Sequence, residues 1–214
     1  MGLFGDWCQP DFGGWLAGGY YNNAHGGNGS FGNSPLGFNN IAGAQLNQAW
    51  LYAENTVARG GGFDFGYRID FMFGADGPDT QAFGDGQFDG DWDTSGQYGF
   101  AMPQLYVEGA YGNTSVKIGH FYTIIGYEVV AAPDNFFYSH AYTMNYNEPF
   151  THTGILAQHD WSEDWTFHLG YTFGWDTGFT NTNDGATFLG GISWSPSEYF
   201  SVTYATTVGD PGDD

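Results

Sequence analysis

Phe63-Asp64-Phe65-Gly66-Tyr67-Arg68-Ile69-Asp70-Phe71-Met72-Phe73-Gly74 is a segment with a period of two. Phe63, Phe65, Tyr67, Ile69, Phe71 and Phe73 share one parity, and Asp64, Gly66, Arg68, Asp70 and Met72 share the other. Side chains on a strand alternate between faces, so one face is an aromatic wall and the other carries charge. A helix would scatter Asp64, Arg68 and Asp70 among the aromatics. The segment also matches the ~9–11 residues that a tilted strand needs to cross hydrocarbon, whereas soluble strands are nearer ~5–6. It therefore predicts a transmembrane strand with an apolar lipid face and a wet inner face.

Composition agrees. The 214 residues include 36 Gly, with 20% aromatic and only 13% charged residues. This mix suits glycine-punctuated strands and not an acidic disordered tail. Net charge is −21, from 24 acids against Arg59, Arg68 and Lys117. Phosphate recognition needs clustered Lys and Arg, so nucleic acid is excluded as a partner and cations are favoured. No apolar run approaches the ~18 residues of a membrane helix. The opening MGLFGDWCQP lacks the basic and apolar regions of a signal peptide, so a mature or truncated form is expected. Cys8 is the single cysteine, which precludes an internal disulfide.

Nine strand-like segments follow from the same reading: 13–22, 45–57, 63–74, 100–111, 115–122, 151–161, 165–175, 186–195 and 199–208. In the seventh, Trp165, Phe167, Leu169, Tyr171, Phe173 and Trp175 alternate with Thr166, His168, Gly170, Thr172 and Gly174. Short turns at 59–62, 112–114, 162–164 and 196–198 alternate with long loops at 23–44, 75–98 and 123–150 and a moderate one at 176–185. Outer-membrane barrels show this asymmetry, and repeated loops of ~20 residues count against a compact soluble domain. The predicted fold class is all-β: an antiparallel transmembrane β-barrel in a single domain over residues 1–214. Nine strands cannot close antiparallel, and water-filled barrels need ~16–18 strands. The chain therefore reads as the N-terminal part of a larger barrel.

The blocks DGPDTQAFGDG (76–86), YGFAMPQLYVE (98–108) and VKIGHFYTIIGYEVVAAPDNFFYSHAYTMNYNEPFTHTGILA (116–157) resemble the OmpL-like β-barrel porin family. GGWLAGGYYNN (13–23) and LNQAWLY (46–52) are similar to its first two strands. The resemblance implies an outer-membrane porin of a Gram-negative-type envelope, acting by passive diffusion. It brings no catalytic residues and no cofactor, so no enzyme is expected.

Alternation nominates a pore lining of Asp64, Arg68, Asp70, Gln104, Tyr106, Glu108, Lys117 and His168. An Arg pointed at lipid near the midplane would cost ~2–4 kcal/mol. The loop 123–149 is the candidate constriction, through Glu128, Asp134, Tyr138, Tyr142 and Glu148. So many aromatics suit a packed loop better than a solvated one. Asp76, Asp79, Asp85, Asp89, Asp91 and Asp93 crowd one loop; an EF-hand is rejected because Thr94 and Phe100 hold its glycine and glutamate positions. Loose divalent-cation binding there remains open, while the histidines lack zinc spacing. Expected partners are outer-membrane lipid and small hydrophilic solutes or ions, with homo-oligomerisation left open. The acids lie mostly on loops and the strand charges nearly balance, so a weak, screenable cation preference is expected. Neutralising Asp85, Asp89, Asp91 and Asp93 should then reduce it. Two alternatives stand beside the channel: a non-transporting surface or adhesion barrel, and a secreted carbohydrate-binding β-sandwich.

Overall fold

The computed structural model describes residues 10–21, 43–83, 88–92, 94, 97–181 and 184–211. Ten strands form one antiparallel sheet: β1 (Asp11–Tyr21), β2 (Gly43–Asn55), β3 (Gly61–Gly74), β4 (Gly99–Ala101), β5 (Leu105–Gly112), β6 (Thr114–Tyr122), β7 (Thr151–Asp160), β8 (Trp165–Thr172), β9 (Ala186–Ser197) and β10 (Phe200–Asp210). Neighbours follow chain order, β1-β2-β3-β5-β6-β7-β8-β9-β10, with the short β4 continuing the β5 line against β3. The sheet is not closed: β1 pairs only with β2 and β10 only with β9 among the described residues.

The organising segment folds as β3. Phe63, Phe65 and Phe71 are exposed, while Gly66, Asp70 and Met72 on the other parity are buried. Register carries the alternation across the sheet, since Tyr67 faces Val107 and Ile69 faces Leu105, while Arg68 faces Tyr106. Val107 in turn faces Ile118, and Glu108 faces Lys117. One face accordingly presents Phe12, Leu16, Leu51, Phe63, Val107, Ile118, Leu169 and Val208, all exposed. That is far more exposed apolar area than a water-soluble sheet displays.

Several boundaries differ from the expectation by one or two residues, and three departures have a local cause. The fourth segment is broken at 102–104 into β4 and β5. Pro103 has no N–H to donate to the ladder, and the Met102 N–H donates to the Asp89 carboxylate at 2.7 Å instead. Pairing resumes where Asp70 N–H donates to the Gln104 carbonyl at 2.9 Å. The expected turn at 196–198 is shorter: β9 runs through Pro196 to Ser197, which pairs with Phe200. Pro196 costs no β8 bond there, because the β8 ladder starts at Trp165 opposite Trp194. β8 stops at Thr172, and Gly174 takes a positive φ of 133°, although Phe173 and Asp176 N–H still donate to Thr153 and Thr151 of β7 at 2.9 and 3.0 Å.

Antiparallel connectivity gathers the short turns at one end of the sheet and the long loops at the other. At the short-turn end, Arg59 Nε meets Asp160 Oδ2 at 2.7 Å and Gly60 N–H donates to Gly112 at 2.7 Å. At the long-loop end, aspartates act as staples. Asp89, fully buried, accepts from Ala82 N–H at 2.9 Å and Met102 N–H at 2.7 Å. Asp176 accepts from Phe150 N–H at 2.6 Å and Thr151 N–H at 2.8 Å. Gly74 closes β3 against β2 so tightly that a Cβ there would collide with the Asn47 carbonyl oxygen.

Candidate pore wall and inner loop

The polar parity of β3 and its neighbours converges on Arg68. Its Nε donates to Asp70 Oδ1 at 2.6 Å and its Nη2 to Asp70 Oδ2 at 3.2 Å, while Nη1 donates to Glu54 Oε2 at 2.8 Å. Asp70 lies two residues along the same strand face, and Glu54 sits directly opposite Arg68 on β2. The guanidinium lies 4.1 Å above the Tyr52 ring. Asp70 is fully buried and also accepts from Trp50 Nε1 at 3.1 Å and Gln104 Nε2 at 3.2 Å. Each charge in this cluster therefore has both a counter-charge and hydrogen bonds, as a buried ion pair requires. Next along the wall, Lys117 Nζ lies 4.1 Å from the Tyr106 ring, with Glu108 opposite Lys117.

Eight residues were nominated from sequence, and all occupy this face. Arg68, Asp70 and Gln104 form one cluster, with Tyr106, Glu108 and Lys117 beside it. Two stand apart. Asp64 lies near the short-turn end, where its carboxylate accepts from Ala58 N–H at 2.7 Å. His168 is on β8, opposite Gln158 and Gly191.

The loop between β6 and β7 packs onto the same face. It holds a 3-10 turn at Ala132–Asp134 and a short helix over Tyr142–Tyr146. Val130 and Met144 are buried against Trp50, Met72 and Ala101, with Trp15, Tyr52, Tyr122 and Phe150 around them. Ile124 and Ile125 cover a second patch of Phe121, Leu156 and Leu189.

Gln48 on β2 pins the loop. Its Nε2 donates to the Val130 carbonyl at 2.7 Å and to Asp76 Oδ2 at 2.9 Å, and its Oε1 accepts from Ala132 N–H at 3.0 Å and Trp15 Nε1 at 2.9 Å. Asp76 also accepts from Asn47 Nδ2 at 2.9 Å, and burial pushes its carboxyl up to about 7. Tyr138 adds a second fastening: its hydroxyl donates to Asn47 Oδ1 at 2.9 Å and accepts from Gln45 Nε2 at 2.8 Å.

Of the other loop candidates, Glu128 accepts from Ala141 N–H at 2.7 Å and stiffens the loop internally. Burial, with Glu128 nearby, raises the Glu148 carboxyl above its ordinary value. Asp134 is exposed, and Tyr142 is exposed on the short helix beside Tyr146.

Sequence reasoning passed over Trp15, Gln48, Trp50, Tyr52, Glu54 and Tyr122. Trp15 and Trp50 stack with centroids 4.6 Å apart. The signal for both was parity, since each is a large aromatic on the wet side of its strand. In the acidic loop, Asp85 and Asp93 lie outside the described residues, as does Cys8. Asp76 and Asp89 are buried and hydrogen-bonded, and no group of three metal-ligating side chains occurs among the described residues.

Residues 10–214 match the profile of the family described as Putative beta-barrel porin-2, OmpL-like. No curated protein and no solved structure is detectably similar to the chain. The match spans every strand of the sheet. The chain belongs to the OmpL-like β-barrel porin-2 family.

Proposed function

We propose that the protein is an outer-membrane porin whose polar face lines a water-filled path for passive diffusion of small hydrophilic solutes. The observation that carries this is the division of the sheet into two faces. Exposed aromatic and aliphatic side chains cover one face, and Arg68, Asp70, Glu108, Lys117 and His168 sit on the other. Lipid is the solvent that makes the first face stable, and water in the lumen suits the second. The loop 123–150, fastened by Gln48 and Tyr138 to the polar face, narrows the path.

Selectivity is weakly for cations. Arg68 and Lys117 are matched by wall carboxylates, whereas Asp91 and Asp134 are exposed acids that form no salt bridge among the described residues. Asp89, buried as a loop staple, is not part of this field. Reconstitution in planar bilayers under a KCl gradient tests the proposal. A reversal potential of cation sign should shrink in Asp91→Asn/Asp134→Asn and at salt above ~0.1 M, where screening shortens to ~10 Å or less. Anion preference would overturn the selectivity. An inserted, folded protein with no conductance would leave only a barrel that anchors surface loops.

A further inference from the structure

Between the loop residues 131–134 and the wall of β1–β3 lies a cavity of about 550 Å³. That falls within the ~300–1,000 Å³ range of small-ligand sites. Its lining combines aromatic and hydrogen-bonding groups: Trp15, Tyr52, Arg68, Gln104, Tyr122 and Asp134. The Tyr122 hydroxyl is buried and has no hydrogen-bond partner among the described residues. That oxygen has essentially no accessible surface, so Tyr122 offers the cavity its ring and not its hydroxyl.

We propose that this cavity is a subsite for a neutral saccharide ring. Charge decides against an anion. Arg68 is already held by Asp70 and Glu54, and Asp134 adds a further acid, so an anion would meet net negative charge. The Arg68 guanidinium lies 4.1 Å over the Tyr52 ring, so that face is closed to a ligand cation. The Trp50 ring is covered by stacked Trp15. A pyranose answers both kinds of wall. Its C–H faces suit the Trp15 indole, while its hydroxyls both donate and accept, as the Gln104 amide and Asp134 carboxylate on the lining allow. Trp15 keeps its own N–H engaged with Gln48, so it offers ring surface and not a donor.

This inference rests on the porin reading for its purpose, as a stepping point along the path, but it is tested by binding alone. The full chain in detergent micelles is titrated calorimetrically with maltotriose, cellotriose, trigalacturonate and tetramethylammonium. At least one neutral trisaccharide should bind saturably with Kd on the order of 1 mM, with trigalacturonate and tetramethylammonium about tenfold weaker or more. Trp15→Ala and Gln104→Ala should each weaken that binding about tenfold, or ~1.4 kcal/mol, while Trp15→Phe retains most of it. Trp165→Ala, on the apolar face, should bind as the parent does, and heat-modifiable migration confirms that each variant is folded. No saturable binding of either neutral trisaccharide overturns the subsite. So does binding of the cation or the anionic trisaccharide as tight as theirs, or binding indifferent to Trp15→Ala. Saccharide binding without bilayer conductance would keep the subsite and sink the channel. Conductance without saccharide binding would do the reverse.

Discussion

Replacing Arg68 with Leu should expose how the wall tolerates charge. Asp70 has a fully buried side chain and Glu54 one that is 26% exposed, and both would lose their guanidinium at 2.6–2.8 Å. Breaking a buried ion pair by removing one partner costs ~3–5 kcal/mol. Two features reduce that here. Trp50 Nε1 and Gln104 Nε2 still donate to Asp70, and Glu54 can rehydrate through its exposed edge. The expected loss is therefore ~2–4 kcal/mol. Urea titration of the protein in lipid vesicles, followed by tryptophan fluorescence, measures it as a lower midpoint at unchanged slope. Adding Asp70→Asn to the same chain removes the orphaned charge and keeps an acceptor for Trp50, so at least about half the loss should return. A single variant within ~0.5 kcal/mol of the parent would refute the reasoning, as would a double variant no more stable than the single.

Three further outcomes follow from the loop and the strand contacts. Gln48→Ala removes the amide that holds Val130 and Ala132, so limited proteolysis within 129–135 should speed up and single-channel current should become larger or noisier. Burial raises the Asp76 carboxyl to about 7, so the folded state binds a proton that the unfolded state has lost. The unfolded state thus binds fewer protons between about pH 4 and pH 7, and stability should fall as pH rises through that window. Asp76→Asn should flatten the decline in the urea midpoint measured from pH 4 to pH 8. Gly74→Ala drives a methyl into the Asn47 carbonyl and should cost ~1–3 kcal/mol in the same titration, with unaltered stability contradicting the close β2–β3 approach.

How much of this was legible depends on the range of the interactions. Alternation in β3 and β8 is local, and it gave their faces correctly because a period of two needs no partner. Pro103 was also a local signal that a central strand could not run unbroken from 100 to 111, yet the apolar pattern on both sides masked it. The function of Gln48 was not legible. Its partners Asp76, Val130 and Ala132 lie far along the chain, and one of the two amides in LNQAWLY looks like any wet-face residue. The acids of the 75–98 loop read as one solvated patch, but Asp76 and Asp89 are buried staples. Composition gives a carboxylate's charge and not whether an N–H claims it. Trp15 and Trp50 were the readable anomaly, since aromatics on the wet parity of adjacent strands call for a surface to pack on.

The central claim is that the two faces of one sheet meet lipid and aqueous lumen. Cysteine substitution in a Cys8→Ser background tests it directly, with a membrane-impermeant cationic methanethiosulfonate reagent applied to channels in a planar bilayer. Glu108→Cys, Asp134→Cys and His168→Cys should lose current on labelling, because added positive charge in the path opposes cation flow. Phe65→Cys, Val107→Cys and Leu169→Cys should conduct unchanged. Current loss at both sets alike, or only at the second, would contradict the account.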